Sequence, residues 1–484
     1  MTATPSADLP HLGRQQTRDD GHASGALTQH RALTEVETAA RAAHALRGKD
    51  RGRLTVAAPG LYPHMWSWDA AFIAIGLAQL STDRALTELE TLLAAQWRNG
   101  MIPHIVFADG DASYEPGPKR WACCDVSPHA PSGPATSGLM QPPVHGIAVR
   151  RILDAARRAG ATEARAAADR IRAIWPALLA WHRYLAENRD PDHTGLLTIY
   201  HGWESGLDNS PRWDVPYRSV VPAPAFVPFR RADVQALDSL DDHGPRTATE
   251  VGAQRPTDGD YARYQWLIEE LRQARYDDTR ARETLSFLVA DVFASAIFAA
   301  ASEELATVAD ELDLPGADEL IGYADRFRRG VAATTDEDGF AADRDLRTGL
   351  PLRTKTIAGF AALLSGGLPP RTRRRLVDTL FSSDWCGNPG LATAVPPSTS
   401  PSSPSFDPAR YWRGPQWPPM NWLLIWGLRR SGEAEAAAVL RASTLDQLSD
   451  GVFAEYYHPF TGDPLGARAQ SWTAAVALDL VLNT

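Results

Sequence analysis

Trp203-Glu204-Ser205-Gly206-Leu207-Asp208-Asn209-Ser210-Pro211-Arg212-Trp213-Asp214 gathers three carboxylates, two indoles, an amide and a guanidinium in one short run. The run lacks the apolar spacing of a core element. Carboxyl groups can move protons at a glycosidic bond, and flat indoles stack on the weakly apolar faces of pyranose rings. Asp208 is the natural proton-donor candidate, because Gly206 lets the backbone turn just before it and Asn209 can orient it. Glu204 and Asp214 compete, Asp214 also as a turn residue before Val215-Pro216. A solvated loop anchored by two tryptophans is the plain alternative. It does not explain why the same mixture recurs along the chain.

Tyr62-Pro63-His64-Met65-Trp66-Ser67-Trp68-Asp69 opens an apolar helix. Asp69 could merely cap that helix. Between Trp66 and Trp68 on one side and the helix on the other, it could also accept two sugar hydroxyls. Tyr411-Trp412-Arg413-Gly414-Pro415-Gln416-Trp417 sets three aromatics around a Gly-Pro turn, and Tyr411, Trp412 and Trp417 are expected to line a pocket. Trp422 and Trp426 follow at helical spacing and read as core. Phe453-Ala454-Glu455-Tyr456-Tyr457-His458-Pro459 holds one acid, Glu455, among aromatics. Burial or hydrogen bonds there would shift its ionisation, and an exposed loop Glu is the competing reading. Gln470-Ser471-Trp472 adds one more polar hand beside an indole.

Helices must position these clusters. Ser81–Trp97 has an N-cap serine, an acid in its first turn and Leu86, Leu89, Leu93 and Trp97 on one face, with Asn99-Gly100 after it. Residues 260–314 contain neither Gly nor Pro and read as two long helices with a break near Asp277-Asp278-Thr279. Gly146–Ala159, Thr162–Asn188, Thr372–Phe381, Pro419–Arg430, Ala434–Asp450 and Ser471–Asn483 also read as helices, and Leu196–Tyr200 is the best strand candidate. Long loops at 101–143, 201–255, 385–416 and 454–470 hold nearly all the aromatic and acidic clusters. Loops that long inside a compact domain are usually functional or disordered. Helices alternating between short turns and long loops predict an all-α (α/α)6 barrel whose loops converge on one face. A two-domain helical protein is the competing architecture. The run Pro396–Ser405 could pass for a linker, but Tyr411–Trp417 follows so closely that a mobile loop beside the site is expected.

The 484 residues include 49 basic and 59 acidic side chains, a net charge of −10. That balance argues against nucleic acid and anionic membranes as partners. Residues 1–27 lack the apolar stretch of a secretory signal and read as a disordered lead-in, with a single catalytic domain over 28–484. No run is apolar enough to suggest a membrane span. Three cysteines make no disulfide framework, and a reducing, cytoplasmic setting fits them. No metal motif and no phosphate-binding loop appears, so neither metal nor cofactor is expected. His64, His104, His145, His201 and His458 read as structural. A homo-oligomer is left open.

Met65–Phe72 (MWSWDAAF), Trp203–Asp214 (WESGLDNSPRWD), Tyr411–Pro418 (YWRGPQWP) and Glu455–Gly462 (EYYHPFTG) together resemble glycoside hydrolase family 63, in matching order from about Val56 to the C-terminus. Within the family they are most similar to bacterial enzymes that hydrolyse glucosylglycerate and mannosylglycerate. The resemblance implies an (α/α)6 barrel and an inverting mechanism, with Asp208 as general acid and Glu455 as the base that activates water. Inversion asks for about 6.5–9.5 Å between the two carboxyl groups. It further implies that Asp69 holds sugar hydroxyls and that Trp66, Trp203, Trp412, Trp417 and Gln470 shape the sugar pocket. Trp68, Gly206, Asn209 and Tyr411 would complete its wall. Tyr62, Tyr114, Gln141, Arg255 and Tyr261 would meet the other half of the substrate.

A glycerate aglycone carries a carboxylate, and a buried carboxylate requires a cation or several donors, which Arg255 and the tyrosines could supply. The stretch 215–252 looks longer than the family pattern and could reshape the rim before Arg255. The expected activity is therefore hydrolysis of glucosylglycerate, with mannosylglycerate as a second substrate. A family relative acting on neutral glucosides is one rival. A sugar epimerase or a non-catalytic sugar-binding protein on the same toroid is another.

Overall fold

The computed structural model describes residues 32–58, 61–108, 114–228 and 254–483. The expected lead-in 1–27 lies outside them, as does most of the insertion-like stretch 215–252. Residues from Ala32 onward cluster as one compact unit.

Six inner helices close a ring. They are α2 (Ser67–Leu77), α4 (His145–Ala159), α7 (Val292–Leu312), α9 (Ala361–Ser365), α11 (Pro418–Arg430) and α13 (Ser471–Leu482), each packed on the next and α13 back on α2. Outer helices alternate with them along the chain: α1 (Glu35–Gly48), α3 (Thr82–Leu93), α5 (Ala161–Asn188), α8 (Ala317–Ala333), α10 (Pro370–Leu380) and α12 (Ala434–Gln447). Outside the two rings, the longest helix among the described residues is α6 (Asp258–Gln273), which lies among the long loops. The barrel is an (α/α)6 toroid, the expected architecture.

The composition of each helix matches its ring. Every residue of α2 is buried, and so are the first ten of α13, because these helices are apolar all round. The outer α3 buries one stripe, Ala85, Leu86, Leu89, Leu92 and Leu93, and leaves its polar face to solvent. Helix α7 is long and apolar enough to cross a membrane, yet it is walled in by α4, α8 and α9.

Two expectations need correction. Residues 260–314 are not two helices. After α6 come a short helix, Asp278–Thr284, then the strand Val289–Asp291, then α7. That strand is β2 of a four-stranded antiparallel sheet with β1 (Leu197–Ile199), β3 (Asp343–Asp345) and β4 (Pro351–Leu352). Long-range pairing, with Leu197 opposite Asp291, overrides local helix preference there. The Pro/Ser run is neither linker nor loose loop: residues 396–400 are buried, Pro397 pairs with Gln416, and Thr399 pairs with Thr356.

Candidate active site

Strand β1 delivers the chain into the segment 200–214, which is pinned from below. Arg189 forms two 2.8 Å bonds to the Glu204 carboxylate, which also accepts the Tyr200 and Met140 amides at 2.7 and 3.2 Å. Arg212 donates to Asp343 at 2.6 Å and to the Ala341 carbonyl at 2.7 Å. Trp213 Nε1 donates to the Leu207 carbonyl at 2.9 Å. Asp214 is taken by Arg413 at 2.7 and 2.8 Å. Glu204 and Asp214, the rivals of Asp208, are thus structural, and Asp208 is the carboxyl of the three that borders the cavity.

The turn before Asp208 requires glycine. Gly206 has φ +72, and a Cβ there would lie 2.4 Å from the Trp68 ring. Burial raises the Asp208 carboxyl to about 8. Arg255 pulls the other way, and Glu455 and Asp69 add to the rise. At neutral pH it is a protonated acid.

Glu455 is held differently. Its amide donates to the Ala467 carbonyl at 2.7 Å, and the Ala467 amide donates to its Oε2 at 2.9 Å. Arg255 Nη2 donates to the same Oε2 at 2.8 Å, and the Tyr62 hydroxyl donates to Oε1 at 2.7 Å. Arg255 Nη1 closes the triangle on the Tyr62 oxygen at 2.8 Å. Tyr411 stands 3.3 Å from that oxygen and lies under the guanidinium, 4.5 Å from ring centroid to Cζ. A carboxylate so surrounded has its charge compensated. Gly466, with φ +66, makes room, since a Cβ there would come within 2.4 Å of Glu455 Oε2.

Asp69 sits in the first turn of α2, its carboxyl raised to about 8 by burial and then by Glu455. Protonation therefore does not separate Asp69 from Asp208. Trp66 meets Tyr62 and Tyr114 edge-on at 5.1 and 5.3 Å, and Gln141 Oε1 accepts the Trp68 amide at 3.1 Å. One cavity of about 90 Å³ brings together Tyr62, Trp66, Trp68, Asp69, Tyr114, Gln141, Trp203, Gly206, Asp208, Arg255, Tyr261, Tyr411, Trp412, Glu455 and Gln470.

Two expected wall residues stand behind it. Trp417, 1% exposed, stacks on Trp412 at 3.7 Å and 5° and presents no face to the cavity. Asn209 does not line the cavity and spends its Oδ1 on the Trp412 backbone amide at 2.8 Å, so its carbonyl braces the Trp412 backbone.

Leu61, His104, Glu115, Gln265 and Trp472 also line the cavity. Helical spacing from Tyr261 points to Gln265, and Trp472 follows Gln470. Nothing local marks Leu61 or Glu115. His104, read as structural, is hydrogen-bonded to Ser137 at 3.0 Å and lowered to about 3 by burial and His201, so it stays neutral. Among the described residues no group of three or more His, Cys, Asp or Glu converges as a metal site would. Three buried polar atoms of cavity residues have no hydrogen-bond partner among the described residues: Arg255 Nε, Gln470 Oε1 and Trp472 Nε1. Buried polar groups are nearly always satisfied, so these suit a polar guest.

The family model for the mannosylglycerate hydrolase MGH1-like glycoside hydrolase domain matches residues 62–473, most of the chain. The chain belongs to this family. Among relatives, glucosylglycerate hydrolase of Mycolicibacterium hassiacum is 52% identical over 92% of this chain and 98% of its own length. Mannosylglycerate hydrolase of Thermus thermophilus is 38% identical, over 90% of this chain and 99% of its own. The crystal structure of a family 63 mannosylglycerate hydrolase from Thermus thermophilus, in complex with Tris and D-glycerate, superposes with TM-score 0.80. It is 37% identical, over 91% of this chain and 99% of that one. Yeast neutral trehalase, 15% identical with TM-score 0.52, shares the fold. The family resemblance read from the four motifs holds, and the protein is a glycoside hydrolase.

Proposed function

We propose that this enzyme hydrolyses glucosylglycerate, and mannosylglycerate as a second substrate, with inversion at the anomeric carbon. The carrying observation is the unequal treatment of the carboxyl groups in one aromatic-walled cavity. Asp208 lies where burial keeps it protonated, while Glu455 is bonded to a cation, a phenol and a backbone amide. The first suits a general acid and the second a general base. Asp208 donates its proton to the glycosidic oxygen as the C1–O bond breaks. Water attacks C1 from the opposite face and gives its proton to Glu455. Asp69, Trp66, Trp412 and Gln470 hold the hexose, and Arg255 with Tyr62, Tyr114, Gln141 and Tyr261 takes the aglycone carboxylate. The nature of the relatives' substrates supports a small glycerate glycoside.

A neutral glucoside is the second reading, because Arg255 is already bonded to Glu455 and a charged aglycone must share it. Proton abstraction by histidine, as an epimerase would need, finds poor support. The cavity histidine, His104, is a very weak base. A hydrolysis panel of glucosylglycerate, mannosylglycerate, glucosylglycerol and neutral α-disaccharides is the test. Preference for the two acids supports the proposal, and equal rates on neutral substrates overturn the substrate assignment. Early-turnover NMR should show the β-hexose from the α-linked substrate; an α-hexose as first product excludes inversion.

A further inference from the structure

We infer that Arg255 is a positioning residue for Glu455 as well as the cation for the aglycone, so that one guanidinium ties substrate charge recognition to the alignment of the base. The inference rests on the proposed reading of Glu455 as base. Arg255, Tyr62 and Glu455 form a closed triangle of hydrogen bonds at 2.8, 2.8 and 2.7 Å, which fixes both oxygens of the carboxylate. The guanidinium plane is itself fixed by the Tyr411 ring beneath it. Nη1 and Nη2 make the two bonds of Arg255 to this triangle. Its Nε is buried and has no hydrogen-bond partner among the described residues. A rigid fork of five donors can serve two carboxylates from different edges, which a lysine ammonium cannot do with the same geometry. An unmade bond at a buried donor is costly, and a substrate carboxylate at the Nε edge removes that cost without dismantling the triangle.

A purely recognising arginine and a positioning one differ in what happens to a substrate with no charge. α-D-Glucosyl fluoride is such a probe. Fluoride leaves C1 with the bonding pair and needs little acid assistance, water forms the new C1–O bond, and Glu455 takes the water proton, so the rate reads the base side of the site. The titratable and charged groups facing Glu455 are Arg255, Tyr62, Tyr411, Asp69 and Asp208, with Tyr456 against Arg255 and Tyr411. Removing the one cation among them takes from Glu455 Oε2 its charge-assisted bond and leaves the alignment of the carboxylate to Tyr62 and the Ala467 amide.

Arg255→Gln is expected to lower kcat on the fluoride at neutral pH at least about tenfold, the scale of a lost charge-assisted bond. The acid limb of its pH profile should move upward. Arg255→Lys should recover part of both effects. An unchanged kcat and pH profile on the fluoride, with KM raised only for glucosylglycerate, makes Arg255 a recognition residue alone and overturns the inference while leaving the functional reading intact. Failure of that reading shows separately, as undiminished fluoride hydrolysis by Glu455→Gln. Where Arg255→Gln does not fold, Tyr62→Phe decides. It removes one donor from the triangle without stranding a charge, and an unmoved acid limb in that variant overturns the inference.

Discussion

The segment carrying Asp208 and the segment carrying Glu455 face one cavity, yet they are secured in opposite ways. The first is bolted from beneath. Its flanking acids and its arginine are spent on Arg189, Arg413 and Asp343, which leaves Asp208, half-buried at the cavity, with no ion-pair partner of its own among the described residues. The second has no such foundation. Two short strands, Tyr456–Tyr457 and Pro464–Leu465, fold it into a hairpin, and the arginine is bonded to Glu455 itself. A proton donor must stay neutral, so charge is kept away from it. A proton acceptor must stay charged, so charge is brought to it. The same two ingredients, carboxylates and arginines, give opposite surroundings according to which carboxylate receives the cation.

Exchange of substrate is the strongest way to break this comparison. Asp208→Asn and Glu455→Gln should each cut kcat on the glycerate glycoside by about a hundred- to ten-thousandfold. On α-D-glucosyl fluoride Asp208→Asn should recover most of its loss and Glu455→Gln none. Equal losses on both substrates would erase the distinction between donor and acceptor.

Stability separates the foundations next. Arg189→Ala strands Glu204, buried with its partner at 0 and 2% side-chain exposure, and should cost about 3–5 kcal/mol in urea unfolding. Arg413→Ala acts at the rim, where Asp214 is 40% exposed, and should cost about 1 kcal/mol or less.

Gly466→Ala pushes a methyl onto Glu455 Oε2 and should lower kcat by roughly ten- to a hundredfold through misplacement of the base, measurable with the protein fully folded by circular dichroism.

The smallest effect is on pH. Asp69 and Asp208 are both raised to about 8, above their ordinary range, so their burial stabilises the fold below that range and loses the contribution as pH rises through about 8. Activity should fall over the same interval as Asp208 deprotonates. The melting temperature should drop by a few degrees between about pH 6 and pH 8, and Asp69→Asn should flatten that drop.

That Asp208 and Glu455 meet at one cavity was legible because their neighbours are rare types in short spacing, and because each sits beside a glycine-permitted turn or a ring of aromatics. Depth was not legible. Trp417 and Asn209 are as polar or aromatic as true wall residues, but one backs onto Trp412 and the other bonds its amide, and side-chain direction in an irregular loop has no sequence period. The strand Val289–Asp291 was lost inside an apparently helical run because its partners lie far along the chain. The Pro/Ser run misled through composition, since its backbone groups are paired with Thr356 and Gln416. Helix α8 was missed despite Leu320, Ala324, Phe327 and Val331 on one face, a signal that periodicity does carry. The bonding of Glu455 was beyond reach for a different reason. It depends on Arg255, two hundred residues away in sequence.

The stack behind the sugar wall has a use that chemistry does not exhaust. Trp412 lies on the cavity side, Trp417 is parallel to it at 3.7 Å, and Tyr456 follows at 4.5 Å and 28°. Indoles fixed that close in an asymmetric setting contribute to the near-ultraviolet circular dichroism of the folded chain. A guest pressed against the outer indole should perturb that contribution. The enzyme thereby carries an optical gauge of occupancy that needs no label and reads binding even in variants that no longer turn over.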